Sequence, residues 1–214
     1  MKHCIFDLDG TLLDTLADLH NAVNHALRLN SMPERTIDEV RMMVGNGVRK
    51  LMLRAVPNGE DNPLFEKAFA DFRAYYSAHS FDNTRPYDGV MPMLAKLKDM
   101  GVGMSVVSNK MDAATKPLVK RFFGDYIDVA IGECESEGIR RKPAPDMVHK
   151  AIREMGVKAE DCVYIGDSDV DLQTARNSNL PCISVLWGFR DKDFLASIGA
   201  NSFASSPMDI PGML

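Results

Sequence analysis

The first fourteen residues, M-K-H-C-I-F-D-L-D-G-T-L-L-D from Met1 to Asp14, combine a strand-like segment with a charged loop. The apolar run at residues 4–6 ends directly at Asp7 and Asp9, which is typical of a buried strand that carries charge at its tip. Two carboxylates at positions i and i+2 of an extended segment point the same way, and their repulsion is costly unless a cation or a shared proton offsets it. This stretch therefore predicts an active site that holds a metal ion.

The composition limits what the rest of the chain can be. With 214 residues, 45% of them hydrophobic, the chain can bury a core as one large domain or two small ones. The net charge is −5 and the lysines and arginines are scattered, which argues against a nucleic-acid or anionic-membrane surface. The N-terminus lacks a long apolar run before its first acidic pair, and no stretch of about 18 apolar residues occurs elsewhere. We therefore predict neither a signal peptide nor a membrane span, and a cytoplasmic location.

A helical pattern begins directly after the charged loop. Apolar residues recur at steps of three and four from Leu16 to Leu27, which predicts an amphipathic helix capped by Asp14 or Thr15. Further helices are predicted at residues 37–44, 48–56 and 64–79, separated by glycine-containing turns. No strand pattern intervenes, so we predict that residues 15–83 form an all-helical domain inserted after the first strand.

From Val90 onward, helical and strand patterns alternate. The predicted helices are 90–100, 111–122, 145–155, 169–178 and 192–198, and the predicted strands are 103–107, 127–131, 162–165, 182–186 and 202–204. This alternation is the signature of βαβ units that build a parallel sheet. The fold class is therefore predicted as α/β, with a Rossmann-like parallel sheet core of residues 1–14 and 84–214 and an inserted all-α domain.

Polar clusters follow several of the predicted strands. In open parallel sheets the binding crevice lies outside the carboxyl ends of the strands. Each cluster alone is typical of a solvated loop or a helix cap, but together they predict a site at one edge of the sheet. The clusters are Asp7 with Asp9, then residues 108–110, Lys142 with Pro143, and residues 166–169.

These side chains match the requirements of phosphoryl transfer. That reaction needs a nucleophile, a proton donor, a divalent ion and positive groups around the phosphoryl oxygens. Asp7 can attack as a carboxylate, and Asp167 can share a Mg²⁺ ion with it, because this ion prefers oxygen ligands. Ser108 can donate to the phosphoryl group, and Lys142 can supply positive charge. Asp9 is then placed to protonate the leaving oxygen and later to deprotonate water.

The segments D-L-D-G-T, V-S-N-K, R-K-P-A-P-D and G-D-S-D-V-D resemble the four motifs of haloacid dehalogenase superfamily phosphatases, over nearly the whole chain. The resemblance implies Asp7 as the phosphorylated nucleophile, Asp9 as general acid and base, and Lys142 as the stabilising charge. It implies Mg²⁺ held by the carboxylates of Asp7 and Asp167 and by the carbonyl of Asp9. The implied substrate-binding residues in these motifs are Gly10, Thr11, Ser108 and Asn109. Asp171 and Ser168 are expected to lie around the metal ligands, and Asp171 is expected to orient either the metal shell or Lys142. Asp169 is expected to cap its helix.

Residues 14–15, 44–47 and 106–110 most resemble the phosphoglycolate phosphatase branch. This resemblance implies Mg²⁺-dependent hydrolysis of a small phosphomonoester through an aspartyl-phosphate, with the helical insert acting as a cap. Dehalogenation is disfavoured, because the dehalogenases lack an aspartate at the position of Asp9. In the insert, Asn46 and Arg49 either face the substrate or form a turn between helices with one exposed arginine.

Several alternatives share the same motifs. A phosphomutase such as β-phosphoglucomutase, or a pyrophosphatase of the superfamily, would keep this arrangement. A non-catalytic binding module is disfavoured, because it need not retain so costly a cluster of charges. The expected partner is a small-molecule phosphate ester, with the chain as a monomer or homodimer. The aromatic segment 187–189 either lines the mouth of the site or forms a packed turn.

Overall fold

The computed structural model describes residues 2–214. Contacts within the chain divide it into two compact units. The first unit consists of the residues up to Leu13 and of Pro86–Leu214, and the second unit is Asp14–Arg85. We call them the sheet unit and the helical unit. Their boundaries fall one and two residues from those drawn on the sequence. Within residues 2–214, none of the helices is both long and apolar enough to cross a membrane.

The elements follow the alternation expected from the sequence. The strands are β1 (His3–Phe6), β2 (Leu13–Asp14), β3 (Arg85–Pro86), β4 (Gly103–Met111), β5 (Val129–Glu133), β6 (Cys162–Gly166), β7 (Cys182–Val185) and β8 (Phe203–Ala204). The α-helices are α1 (Leu16–Leu29), α2 (Ile37–Met43), α3 (Val48–Ala55), α4 (Phe65–His79), α5 (Val90–Asp99), α6 (Asp112–Phe123), α7 (Asp146–Met155), α8 (Asp169–Asn177) and α9 (Lys192–Ser197). Short 3₁₀ turns lie at Gly59–Asp61, Glu135–Glu137, Ala159–Asp161 and Pro207–Gly212.

A six-stranded sheet in the order β5-β4-β1-β6-β7-β8 forms the core of the sheet unit, and each adjacent pair is parallel. This confirms the predicted α/β fold class. β1 is fully buried, as its apolar run requires for a strand between two others. Phe6 lies opposite Val106 of β4 and Ile165 of β6. The residues that follow these three positions therefore meet at the same edge of the sheet.

β4 is longer than the sequence predicted. The predicted strand 103–107 continues to Met111, so residues 108–110, expected in a loop, lie within a strand. The pairing with β5 shifts register between Val107 and Met111, after which Met111 pairs with Glu133. Such an irregularity lets a strand continue while its side chains are redirected, and it has no polarity pattern that would reveal it in the sequence.

α1 begins the helical unit and buries one apolar face, including Val23 and Leu27. The oxygen that caps its first turn belongs to Asp14, whose Oδ1 accepts from the Leu16 amide at 3.3 Å, whereas Thr15 makes no capping hydrogen bond. The buried carboxylate of Asp18 accepts from the backbone amides of Asn83 at 3.0 Å and Thr84 at 2.8 Å. These bonds join the start of the unit to its last residues.

Candidate active site

Asp7 stands directly after β1, and its amide donates to the Ile165 carbonyl at 2.9 Å. Its carboxylate oxygen Oδ1 accepts from the Leu8 amide at 2.7 Å and lies 2.8 Å from the Nζ atom of Lys142. Within residues 2–214, Oδ2 of Asp7 has no hydrogen-bond partner, and the side chain is 12% exposed. One oxygen is thus fixed by protein donors while the other is available for chemistry.

Lys142 is the positive centre of this cluster and is fully buried. Its ammonium lies 2.8 Å from Oδ1 of Asp171 and 3.0 Å from the hydroxyl of Tyr164, in addition to its contact with Asp7. Burial opposes the charged ammonium, but the charges of Asp171 and Asp7 together outweigh it, so the pKa of Lys142 lies well above its usual value. The two carboxylates therefore favour the charged form of Lys142.

The backbone that carries Lys142 is fixed by β4. The Asn109 side chain accepts from the Lys142 amide at 2.8 Å and donates to the Lys142 carbonyl at 3.1 Å. The peptide bond from Lys142 to Pro143 is cis. Asn109, predicted to bind substrate phosphate, is thus seen here in contact with the peptide groups of the lysine.

Ser168 and Asp171 form a reciprocal cap at the start of α8. The Ser168 hydroxyl donates to Oδ2 of Asp171 at 2.6 Å, and the Ser168 amide donates to the same oxygen at 3.1 Å. Ser168 is the N-cap, because its backbone is extended and its hydroxyl accepts from the Asp171 amide. The expectation that Asp169 caps this helix was wrong, since Asp169 is already its first helical residue.

Asp167 follows β6 and is held by two donors. Its Oδ1 accepts from the Thr11 hydroxyl at 3.1 Å, and its Oδ2 accepts from the Phe189 amide at 2.8 Å. Burial, with a further contribution from the charge of Asp171, raises the pKa of Asp167 to about 7. The same two causes raise the pKa of Asp7 well above its usual range.

Carboxylate oxygens of Asp7, Asp167 and Asp171 lie within 4.8 Å of one another. Three buried carboxylates face a single ammonium, so the cluster carries surplus negative charge that a hard divalent cation would neutralise. Asp171 is already paired with the Lys142 ammonium through Oδ1, and its Oδ2 accepts two hydrogen bonds from Ser168. Asp167 has only neutral donors, a hydroxyl and an amide, and Oδ2 of Asp7 has no hydrogen-bond partner within residues 2–214. Asp7 and Asp167 are therefore the carboxylates of this cluster that best fit a metal ion.

Two glycines allow the backbone to approach Asp167. Gly10 has φ +90°, and a Cβ atom there would lie 2.5 Å from Oδ2 of Asp167. A Cβ on Gly188 would overlap Asp167 and the carbonyl of Gly10. Trp187 donates from Nε1 to the Thr11 carbonyl at 2.9 Å. The aromatic turn 187–189 is therefore packed against the motif that begins at Asp7.

Asp9 does not join the three clustered carboxylates. Its Oδ1 instead lies 3.1 Å from the ammonium of Lys110, a buried residue within β4. The two acids that the sequence placed on one side of the segment thus have separate lysine partners. Ser108 is also buried, and its hydroxyl accepts from the Lys110 amide at 3.2 Å.

Lys110 and Tyr164 contact the predicted site residues, although no role was predicted for either side chain. Lys110 belongs to the polar cluster 108–110, which was predicted at this edge of the sheet, but its contact with Asp9 was not. Tyr164 lies within an apolar strand and looks like an ordinary core residue, although its hydroxyl donates to Oδ1 of Asp171 at 3.2 Å. No sequence signal distinguishes it.

Asn46 and Arg49 belong to the helical unit and have partners there. Arg49 lies 2.6 Å from Oε1 of Glu66 and 3.3 Å from Oε1 of Glu60. Oδ1 of Asn46 accepts from Arg54 at 2.6 Å. Contact of Asn46 and Arg49 with a substrate stays a prediction, and Arg49 would have to exchange a carboxylate partner to make it.

Comparison with known proteins identifies the family. Residues 4–185 match the model of the haloacid dehalogenase-like hydrolases. The chain is 34% identical to phosphoglycolate phosphatase from Rhodobacter capsulatus, covering 87% of this chain and 84% of that protein. It is 32% identical to phosphoglycolate phosphatase from Agrobacterium fabrum, and that match covers 87% of this chain and 81% of the Agrobacterium protein. One similar crystal structure is described as that of a candidate phosphoglycolate phosphatase from Lactobacillus delbrueckii subsp. bulgaricus. It superimposes on this chain with a TM-score of 0.94 at 35% sequence identity, and the match covers 99% of this chain and 97% of that chain.

These relatives span nearly the whole chain, and the matched residues include every motif that meets at the edge of the sheet. The chain therefore belongs to the haloacid dehalogenase-like hydrolase family and is one of its phosphatases, a phosphoric monoester hydrolase.

Proposed function

We propose that this chain hydrolyses a small phosphomonoester of the phosphoglycolate type through a phosphoaspartyl intermediate on Asp7, with Mg²⁺ as cofactor. The observation that carries the proposal is the state of the Asp7 carboxylate. One oxygen is held by the Leu8 amide and by Lys142, and the other has no hydrogen-bond partner within residues 2–214. A buried carboxylate with one unengaged oxygen is suited to nucleophilic attack.

In the first step, Oδ2 of Asp7 forms a bond to phosphorus while the bond from phosphorus to the ester oxygen breaks. Asp9 gives its proton to the departing oxygen, so that an alcohol rather than an alkoxide leaves. Lys142 keeps the Asp7 carboxylate in place, and its charge offsets the negative charge brought by the phosphoryl group. Gly10, Thr11, Ser108 and Asn109 are proposed to contact the phosphoryl oxygens.

In the second step, a water molecule attacks the same phosphorus. Asp9, now a carboxylate, takes a proton from that water as its oxygen bonds to phosphorus. The bond between phosphorus and Oδ2 of Asp7 breaks, which releases inorganic phosphate and restores both acids. The products are the free alcohol and phosphate, and no oxidant or second substrate is needed.

The proposed metal site uses the carboxylates of Asp7 and Asp167 with the main-chain carbonyl of Asp9. A bound Mg²⁺ ion would supply positive charge for the phosphoryl oxygens. The surplus of buried carboxylates over ammonium groups supports this choice, as does the approach of the three acids to within 4.8 Å. Asp171 and Ser168 are proposed to support the site, since they fix Lys142 and the start of α8.

The substrate class is proposed from the relatives, two of which are phosphoglycolate phosphatases of over 30% identity. The helical unit is proposed to act as the cap that selects the leaving group and excludes water, with Asn46 and Arg49 as candidate contacts. A small anionic ester is consistent with the buried positive charge of Lys142.

Phosphate release from a panel of phosphorylated metabolites, with Mg²⁺ and with the metal chelated, tests the proposal. We expect metal-dependent turnover of phosphoglycolate well above that of sugar phosphates and pyrophosphate. Analysis of products from a sugar phosphate separates hydrolysis, which gives free phosphate, from a mutase reaction, which gives a positional isomer.

The Asp7→Asn variant tests the nucleophile, because an amide of the same size cannot form the phosphoaspartyl bond. We expect it to be folded and inactive, and incubation of the wild type with substrate to leave a transient acid-stable, base-labile label on Asp7. Substantial turnover by Asp7→Asn would rule out this role for Asp7.

A further inference from the structure

We infer that Lys110 is a positioning residue for Asp9. The Lys110 ammonium holds the Asp9 side chain in place for proton transfer, apart from the three clustered acids. This inference rests on the proposed function, in which Asp9 is the acid and base. It concerns how the chain keeps two nearby carboxylates in two different roles.

The contact uses both oxygens of Asp9. The ammonium of Lys110 lies 3.1 Å from Oδ1 and 3.4 Å from Oδ2. A donor placed across both oxygens restricts rotation of the carboxylate, whereas a single contact would leave one torsion free. Asp9 is absent from the group formed by Asp7, Asp167 and Asp171, whose oxygens lie within 4.8 Å of one another.

The burial of the pair makes this contact strong. The Lys110 side chain is 3% exposed and that of Asp9 is 16% exposed. Ion pairs at the surface contribute little, because water and salt screen them. A buried ammonium needs anionic or polar partners, and the Asp9 carboxylate is an anionic partner of Lys110.

The backbone at Lys110 is also fixed. Its amide donates to the Ser108 hydroxyl at 3.2 Å, and its carbonyl accepts from the buried hydroxyl of Thr115 at 3.1 Å. This segment lies where the pairing of β4 with β5 shifts register. The adjacent residue, Asn109, fixes the peptide groups of Lys142. Consecutive residues of β4 thus support the lysine that contacts Asp7 and hold the acid Asp9.

The consequence is specific to proton transfer. Without the ammonium, the Asp9 side chain can rotate, so its carboxyl group would less often face the departing oxygen when it carries the proton. This loss matters for an alkyl phosphate, whose leaving alkoxide is strongly basic. It matters little for p-nitrophenyl phosphate, whose phenolate leaves without protonation.

The test compares kcat/KM of the wild type and of Lys110→Met with phosphoglycolate and with p-nitrophenyl phosphate. For this mechanism kcat/KM reports the steps up to cleavage of the ester bond, where Asp9 acts as an acid. We expect a decrease of at least about 10-fold with phosphoglycolate and less than about 3-fold with p-nitrophenyl phosphate, since general acid catalysis as a whole contributes about 10² to 10⁴. Lys110→Arg, which keeps the charge, is expected to restore part of the loss.

Lys116→Met is the matched control, because Lys116 is an exposed lysine of α6 paired with Asp112. This variant also replaces a lysine by methionine, but at a position away from the site, and kcat/KM is expected to be unchanged with both substrates. Thermal melting in parallel shows whether each variant is folded, and Lys110→Arg keeps the comparison possible if Lys110→Met is not.

Equal losses with the two substrates, or no loss in Lys110→Met, would overturn the positioning role. Equal activity of Lys110→Arg and Lys110→Met with phosphoglycolate would do the same. Failure of the proposed function has a different signature, since the wild type would then release no phosphate from any ester, or Asp7→Asn would remain active.

Discussion

The ammonium of Lys142 lies 2.8 Å from Oδ1 of Asp7 and 2.8 Å from Oδ1 of Asp171, so one buried cation joins the tip of β1 to the first turn of α8. The cation and both acids come from segments far apart in sequence. Their contact keeps two carboxylates close together at the edge of the sheet, and the surplus charge that remains is what makes the cluster suitable for a metal ion.

Removal of the cation should affect both activity and folding. Lys142→Met leaves Asp7 and Asp171 without their shared partner, so we expect kcat to fall by about 10² to 10³ and stability to fall by about 3 kcal/mol or more. Steady-state kinetics and chemical denaturation measure the two effects. Lys158→Met, at an exposed lysine, is the control. If Lys142→Met kept the kcat of the wild type, the charge of Lys142 would not be used in the reaction.

The Tyr164 hydroxyl should act through Lys142. It lies 3.0 Å from the ammonium and 3.2 Å from Asp171, so Tyr164→Phe leaves both groups with one hydrogen bond fewer. We expect a loss of stability of about 1 to 3 kcal/mol and a decrease in kcat below about 10-fold with unchanged KM. Tyr126→Phe, at a half-buried tyrosine, provides the comparison. A large increase in KM would instead place the hydroxyl in substrate binding.

Gly10 should tolerate no side chain. Gly10→Ala combines an unfavourable φ of +90° with a Cβ that would lie 2.5 Å from Oδ2 of Asp167. We expect phosphatase activity to be lost and stability to fall by more than about 1 kcal/mol. Gly101→Ala is the matched control, because Gly101 also has a positive φ but a Cβ there meets open space. If both variants lose the same stability and keep activity, the close approach to Asp167 is unimportant.

The metal should be detectable without an activity assay. Binding of Mg²⁺ to the folded state alone offsets the repulsion among the buried carboxylates, so we expect the Tm to rise with Mg²⁺ concentration. Asp167→Asn removes one proposed ligand and should abolish most of the rise, whereas Asp169→Asn, at a half-buried position two residues further on, should not. The absence of a Mg²⁺-dependent shift in the wild type would contradict the proposed site.

His3 should make stability depend on pH. Burial lowers the pKa of His3 from 6.5 to about 4, and its Nε2 lies 3.0 Å from the Ser105 hydroxyl. Between pH 6.5 and 4 the unfolded chain therefore binds a proton that the folded chain does not, so stability decreases as the pH falls through this range, by up to about 3 kcal/mol. Urea denaturation at pH 7 and pH 4.5 measures the decrease. It should be smaller in His3→Asn, and an equal decrease would exclude His3 as the cause.

The parallel sheet core, the helical insert and the four segments of the candidate site could all be predicted from the amino-acid sequence. These follow from local patterns, because apolar periodicity fixes each element and the carboxyl ends of parallel strands share one edge. The α-helix bounds fell within two residues of those predicted, since capping residues and glycines mark them. Asp7, Asp9, Lys142 and Asp167 could be chosen because their motifs are contiguous.

Which lysine contacts which acid could not be predicted, because it depends on how distant segments pack together. Asp9 and Lys110 are separated by 101 positions, and their contact depends on the pairing of β1 with β4 and on the irregular end of β4. Tyr164 looked like a core residue, since a hydroxyl gives no sign of its partner until strands and loops are assembled. Local propensity thus fixed the α-helices and the alternation of strands with them, whereas long-range packing fixed the end of β4 and the ion pairs of the buried carboxylates.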